Sequence, residues 1–482
     1  MKKEYKLFIN GQDVPSSSNT IIDDISPSTG KAFAKVHMAS KEDIESAIDA
    51  AHKASKSWAN TTPRQREAIL LKAADIFESR TEEIREILIT ETGSAFGKSM
   101  FEIGLVADIF RVAAGECRRV SGYTHATNET GMLSYSVRRP LGVIAGIAPF
   151  NAPMILSSKK FAFAIAAGNT FVLKPSSNTA ITGLIFGEIF KEAGLPDGVF
   201  NVIPCSSSVL GETFQTDKRV KMITFTGSTA TGKLIASSAA ANLTKFTVEL
   251  GGKSPMIILN DADVDYAVDT AAFSIFMHQG QICMAGSKII VQEEIFDAFA
   301  QKFAAKISGI KASDPSLPTT IVGPLIEEAQ CSFIDGLVND AVSKGAKVLC
   351  GNSHSGCFYE PTVISDVTSE MKVYHDEAFG PVAALIKVKT VEEAVEVANM
   401  TNYGLSSAVV TNDIGNALKL SEEIEAGMVH INGPTIMDEA HIPFGGIKDS
   451  GMGREGGHFS IEEMTELKWV TVEALGNHPY PF

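Results

Sequence analysis

Between residues 140 and 252 of this 482-residue chain, short apolar runs rich in β-branched residues alternate with longer stretches of helical period. GVIAGIAP at 142–149, TFVLKP at 170–175, VFNVIP at 199–204, KMITFTGS at 221–228 and KFTVELGG at 245–252 read as strands. Residues 153–167, 179–193 and 229–240 read as helices, the second ended by Gly194. Strands that are apolar along their whole length and joined through helices belong to a parallel sheet covered on both faces. The fold class is therefore α/β. A second series follows, with strands at 254–259, 287–292, 382–388, 406–411 and 427–431 and helices at 264–278, 391–399 and 414–425.

The flanks differ. Residues 41–120 show helical spacing, as at Ile44, Ala47, Ile48 and Ala51, or Ile84, Ile87 and Leu88. Residues 121–139 turn polar, and Asn128 to Gly131 is a turn signal, so a β-hairpin is expected there. Residues 465–475 alternate and read as an edge strand, which needs a partner. Lys+Arg at 42 against Asp+Glu at 57 leaves a net charge of −15, which argues against a nucleic-acid partner or an anionic membrane surface. No apolar run approaches the roughly 20 residues that span a bilayer. The N-terminus has lysines but no apolar stretch after them, and six cysteines show no regular spacing. These absences point to a reduced, cytoplasmic protein.

Five segments carry residues suited to chemistry. Cys283 lies in GQICMAG between Gly280 and Gly286, where backbone can approach a bound group. A thiol there could attack a carbonyl, with its own N–H holding the oxyanion; a free cysteine is also commonly just a small buried hydrophobe. Glu249 ends an apolar strand before Gly251 and Gly252, where it could activate water or serve as an ordinary strand-end ion. Asn151 stands between Pro149 and Pro153, and its side-chain NH₂ can donate to an oxyanion or simply stabilise a turn. Gly227, Ser228 and Gly232 in FTGSTATGK sit between a strand and a helix, where N–H groups can meet a pyrophosphate. Their G-x4-G spacing is not the dinucleotide fingerprint. Lys174 ends another strand within reach of a ribose hydroxyl, or is a surface lysine. Cys350, His354 and Cys357 invite a zinc reading, but the x6 spacing and the lack of a fourth nearby ligand favour a hairpin loop without metal.

The ordered set APFNAP, LKPSS, FTGST, VELGGKSP, GQICMAG, EAFGPV and PFGGIKDSG resembles the NAD(P)-dependent aldehyde dehydrogenase superfamily, from about residue 5 to 475. The resemblance implies a Rossmann-like coenzyme-binding domain (1–120 and 140–250), an α/β catalytic domain (251–440) and a small β oligomerisation region (121–139 and 465–482). It implies Cys283 as nucleophile, Glu249 as general base, Asn151 as oxyanion donor and Lys160 as a supporting lysine. It also implies a coenzyme site at Phe150, Lys174, Ser176, Ser177, Gly227, Ser228, Leu250, Glu377 and Phe379. A homodimer or homotetramer acting on a small-molecule aldehyde follows.

Two departures stand out. Members strict for NAD usually carry a glutamate three residues after the ribose lysine; here Ser177 takes that place, so use of both NAD and NADP is expected. Phe150 replaces the usual tryptophan of PWN. HQGQICMAGSKIIV, GCFYEPTVI and INGPTIMDEAHIPFGG resemble the benzaldehyde, vanillin and salicylaldehyde branch. Ile282, Met284, Ile436 and Phe444 are apolar candidates for the pocket wall, and no Arg or Lys adjoins Cys283 in sequence. Rival readings are a CoA-acylating enzyme, an aliphatic or semialdehyde dehydrogenase, a non-catalytic member, and a cysteine hydrolase using His278.

Overall fold

In the computed structural model, residues 1–473 are described and form two large sheets. The first has eight strands, in spatial order Gly451–Met452, Lys245–Glu249, Val220–Thr226, Val143–Ile147, Thr170–Lys174, Phe200–Val202, Leu7–Ile9 and Gln12–Val14. Its five middle strands, Lys245–Glu249 through Phe200–Val202, are parallel. The flanking strands pair antiparallel. The second has seven: Lys347–Cys350, Thr362–Ser365, Val382–Val388, Lys288–Gln292, Pro255–Ile258, Ser406–Val410 and Met428–Ile431, parallel except for the first pair.

Every residue of Val143–Ile147, Thr170–Lys174, Lys288–Gln292 and Ser406–Val410 is buried, which is why apolar residues dominate both faces of these strands and do not alternate with polar ones. The Pro153–Ala166 helix is buried along all 14 of its residues. Its Phe161 ring lies 4.6 Å from Phe200 and 4.9 Å from Phe186, the centre of an aromatic cluster beneath the first sheet. The helical region resolves into Lys41–Ala59, Pro63–Ser79, Thr81–Thr92 and Phe96–Glu116, with the expected periodic residues buried. Among the described residues no helix is long and apolar enough to cross a membrane.

The expected hairpin needs correction. Only one nine-residue strand forms there, Met132–Pro140, and its full ladder is with Thr465–Glu473. The 121–125 arm returns to it through three backbone hydrogen bonds and a single bridge, Thr124 to Tyr135. A nine-residue alternating tail offers more pairs than that short polar arm. Residues 474 and 475 of the expected edge strand, with the rest of 474–482, lie outside the described residues. Glu249 ends the last parallel strand of the first sheet, and Pro255 begins the earliest strand of the second in chain order. Residues 441–464, assigned to no domain, return to the first unit. Gly451–Met452 joins its sheet, and the Gly457–Glu463 helix packs on the Pro153 helix.

Candidate active site

Four parallel strands of the first sheet present their C-terminal ends side by side. Ile147 leads to Phe150 and Asn151, Thr226 to Gly227 and Ser228, and Lys174 and Glu249 stand on their own strand ends. Ligands in open α/β sheets collect at this edge. Cys283 comes from the second sheet's side, in the connection between the Val264–Phe276 helix and the strand at Lys288.

That connection is tightly held. His278, Gln279 and Gly280 adopt left-handed backbone in succession, a costly conformation for the two non-glycine residues. Gln279 Nε2 donates to the Pro324 carbonyl at 2.7 Å, and Gln281 Oε1 accepts from Ile326 N at 3.0 Å. The flanking glycines serve close packing within the protein: a Cβ on Gly280 would lie 2.2 Å from the Gly380 carbonyl, and one on Gly286 would press on Ser274 and Thr435. They do not open the loop to a bound group, as the spacing had suggested.

Two cavities meet at Cys283. One of about 360 Å³ is lined largely by apolar side chains, including Phe101, Leu105, Phe273 and Met277. Its wall also contains the four predicted apolar residues, Ile282, Met284, Ile436 and Phe444. The other, about 260 Å³, is lined by Phe150, Gly227, Ser228, Leu250, Glu377 and Phe379, six of the nine residues expected at a coenzyme site. Cys283, Asn151 and Leu156 line both. The thiol is pushed up from its ordinary pKa by burial and by the nearby acids Glu377, Glu249 and Asp438.

In the second cavity, Phe150 and Phe379 meet edge to face at 5.8 Å. Glu377 accepts from Gly252 N at 3.1 Å, and burial pushes its carboxyl up to about 7. Ser228 caps the Thr229–Ala241 helix, whose start faces this space. Lys174, Ser176 and Ser177 lie outside the lining, at the neighbouring strand end. Lys174 is buried and its ammonium is pulled below the usual lysine pKa by desolvation. Ser177 Oγ donates to the Cys205 carbonyl at 3.3 Å. Glycine-lined space beside a thiol, with helix-start N–H groups and an acidic side chain opposite, fits a dinucleotide.

Two expected catalytic residues stand back from the cavities. Glu249 is buried, both its oxygens lack a hydrogen-bond partner, and Oε1 rests against Gly445. Burial and the Glu455 charge hold its carboxyl well above the usual range, opposed by Lys160, Arg454 and Lys159. Lys160 donates to Glu455 Oε1 at 2.6 Å and Thr224 Oγ1 at 3.2 Å. It acts on Glu249 through charge and reaches neither cavity. Asn151 is anchored from behind, because Lys98 Nζ donates to its carbonyl at 2.9 Å while also holding Glu102 and Ser94. Glu102 in turn accepts from Met154 N and Ile155 N, N–H groups at the buried start of the Pro153 helix that have no partner within the helix.

Sequence reasoning missed Lys98, Glu102, Lys159, Asp438 and Gln330, the last lining the second cavity and donating to the Ala378 and Phe379 carbonyls. Lys98 and Glu102 at i,i+4 spacing were a usable signal. The CGNSHSGC segment forms a hairpin, His354–Ser355 with Phe358–Tyr359, and His354 faces Asp335 at 3.1 Å. All six cysteines are free.

The family model described as "Aldehyde dehydrogenase family" matches residues 14–470. A vanillin dehydrogenase of Pseudomonas fluorescens is 38% identical over 478 residues, covering 98% of this chain and 99% of the relative. A benzaldehyde dehydrogenase of Bacillus subtilis is 39% identical over 469 residues, 97% of each. The crystal structure of a salicylaldehyde dehydrogenase from Pseudomonas putida G7, complexed with salicylaldehyde, superposes with a TM-score of 0.97 at 38% identity over 100% of both chains. Likeness along the whole length, on a fold that seats a cysteine between two cavities, establishes that this chain belongs to the aldehyde dehydrogenase family, NAD(P)-dependent oxidoreductases acting on aldehydes.

Proposed function

We propose that the chain oxidises an aromatic aldehyde of the benzaldehyde or vanillin type to its carboxylic acid. The observation that carries this reading is the largely apolar first cavity opening onto Cys283, opposite the second cavity. A planar ring fits such a slot with few polar contacts. Lys98 is the lysine lining it, and its ammonium is engaged by Glu102, so among the described lining residues no free cation is available for a second substrate carboxylate.

In this reading the Cys283 thiolate attacks the aldehyde carbon, and the Asn151 NH₂ and Cys283 N–H stabilise the resulting oxyanion. NAD(P)⁺, when bound, supplies the hydride acceptor that turns the thiohemiacetal into a thioester. Glu249 then takes a proton from water, which cleaves the thioester. Its two unpartnered oxygens suit that task, and its place against Gly445 means the side chain swings toward Cys283 to act. Lys160 and Glu455 set its charge environment.

The first unit binds coenzyme and the second carries the nucleophile. Lys174 and Ser176 bind the adenosine ribose beyond the cavity. Ser177 there offers no carboxylate to repel a 2′-phosphate, which supports use of both NAD and NADP. The Met132–Pro140 and Thr465–Glu473 ribbon, with Leu467, Trp469 and Val472 exposed, serves homo-oligomerisation. A panel of benzaldehyde, vanillin, acetaldehyde and succinic semialdehyde, followed at 340 nm with each coenzyme, tests the reading. The aromatic aldehydes are expected to give the highest kcat/KM; preference for the semialdehyde would refute it.

A further inference from the structure

One polar group in the first cavity has no part in this chemistry. Asp438 lies in the wall with 10% of its side chain accessible. Behind it, fully buried Lys159 donates to its carboxylate, and the Lys159 ammonium stands 4.6 Å from the centre of the Phe444 ring. The other polar lining groups are accounted for. Lys98 holds Glu102, Ser94 and the Asn151 carbonyl. Glu439 is half-exposed, at 52% of its side chain. Asn151 and Cys283 face the reacting carbonyl.

Burying an ion pair costs desolvation that its own attraction only partly offsets, and an apolar pair of equal volume would line a slot for an unsubstituted ring as well. The carboxylate already accepts from Lys159 and from the Glu439 backbone N–H, and its accessible part keeps lone-pair capacity for one further donor from the cavity. Its charge is balanced by Lys159, so a neutral donor suits it better than an ammonium. Asp438 and Cys283 line the same cavity, so a ring whose aldehyde carbon is at the sulfur shares that space with the carboxylate.

We propose that Asp438, held by Lys159, is a specificity residue that accepts a hydrogen bond from a hydroxyl on the aromatic ring of the aldehyde. This rests on the aromatic reading above and narrows it to phenolic aldehydes.

The test compares kcat/KM, by NADH fluorescence, for benzaldehyde, the three hydroxybenzaldehydes and their methyl ethers. A methyl ether resembles the phenol electronically but cannot donate. A hydrogen bond to a charged acceptor is worth a factor of roughly 10 to 150. At least one hydroxy isomer is thus expected to exceed its ether by about tenfold or more. Lys159→Met/Asp438→Leu, which removes both charges together, is expected to bring that ratio to about one. Should the double variant not fold, Asp438→Asn, which keeps the side-chain shape and removes the charge, is expected to lower that ratio. Benzaldehyde oxidation with no hydroxy-over-ether preference, or a preference that survives the substitutions, overturns the subsite and leaves the aromatic reading standing. Failure to oxidise benzaldehyde and all its derivatives overturns both.

Discussion

Gly252→Ala probes how closely the two sheets must approach at the nucleophile. A Cβ there would lie 2.3 Å from the Cys283 carbonyl oxygen, about 1 Å short of the 3.4 Å at which ordinary contact begins. The obstacle is backbone, so no side chain can swing aside; the Cys283 peptide itself must shift. A misplacement of about 1 Å at a reacting group costs on the order of 10²-fold in rate, or about 2.7 kcal/mol of barrier. The assay is the single-turnover burst of reduced coenzyme, run beside the rate at which iodoacetamide labels Cys283. Both are expected to change, with the burst slower by about two orders of magnitude. Gly251→Ala is the internal comparison. Its Cβ would lie 2.3 Å from Glu377 Oε2, the movable end of a side chain, so the coenzyme KM should rise with a smaller change in kcat. Gly336→Ala, exposed on a helix with nothing within 4 Å, should be neutral or stabilise by roughly 0.5–1 kcal/mol. A folded Gly252→Ala protein with the wild-type burst and labelling rate would refute the argument that this glycine seats the nucleophile.

Glu249→Gln should keep the burst of reduced coenzyme but lower steady-state turnover by roughly 10²–10⁴-fold, with an acyl-enzyme trapped for mass spectrometry. Because the Glu249 carboxyl is raised by burial and then by Glu455, and the base works ionised, turnover should fall with decreasing pH already above the usual carboxylate range. Glu455→Gln removes one raising charge and frees Lys160, so the acid limb of the kcat profile should move to lower pH. Breaking that buried pair should also cost roughly 3–5 kcal/mol of stability, read by denaturant unfolding. Ser177→Glu should lower kcat/KM for NADP tenfold or more while sparing NAD, since a carboxylate would face the 2′-phosphate. Trp469→Asp, at a residue 68% exposed on the ribbon edge, should reduce the mass seen by sedimentation.

The two sheets were legible in the sequence because their strands are buried on both faces, so apolar runs such as 143–147 and 288–292 needed no partner to be recognised. The strand-end residues stood out because they close apolar runs, whereas the close approach of Gly251 and Gly252 was not legible, since its partners, Glu377 and the Cys283 carbonyl, lie far along the chain. What local patterning could not supply was charge pairing across distance. No cation adjoins Cys283 along the chain, whereas Lys98 reaches the cavity from 185 positions away. The Pro153 helix makes the same point. Lys159 and Lys160 are consecutive, so they point about 100° apart around the helix, and each meets its own acid, Asp438 or Glu455. Neither acid lies on an element with a clear period, and residues 441–464 carried no domain assignment at all. A helix buried on every side can hold two ammonium groups only because the stretch from 438 to 455, on either side of the 440 boundary, returns two carboxylates to it. The electrostatics around Glu249 and in the substrate cavity therefore belong to a pairing of two segments, and neither segment shows it alone.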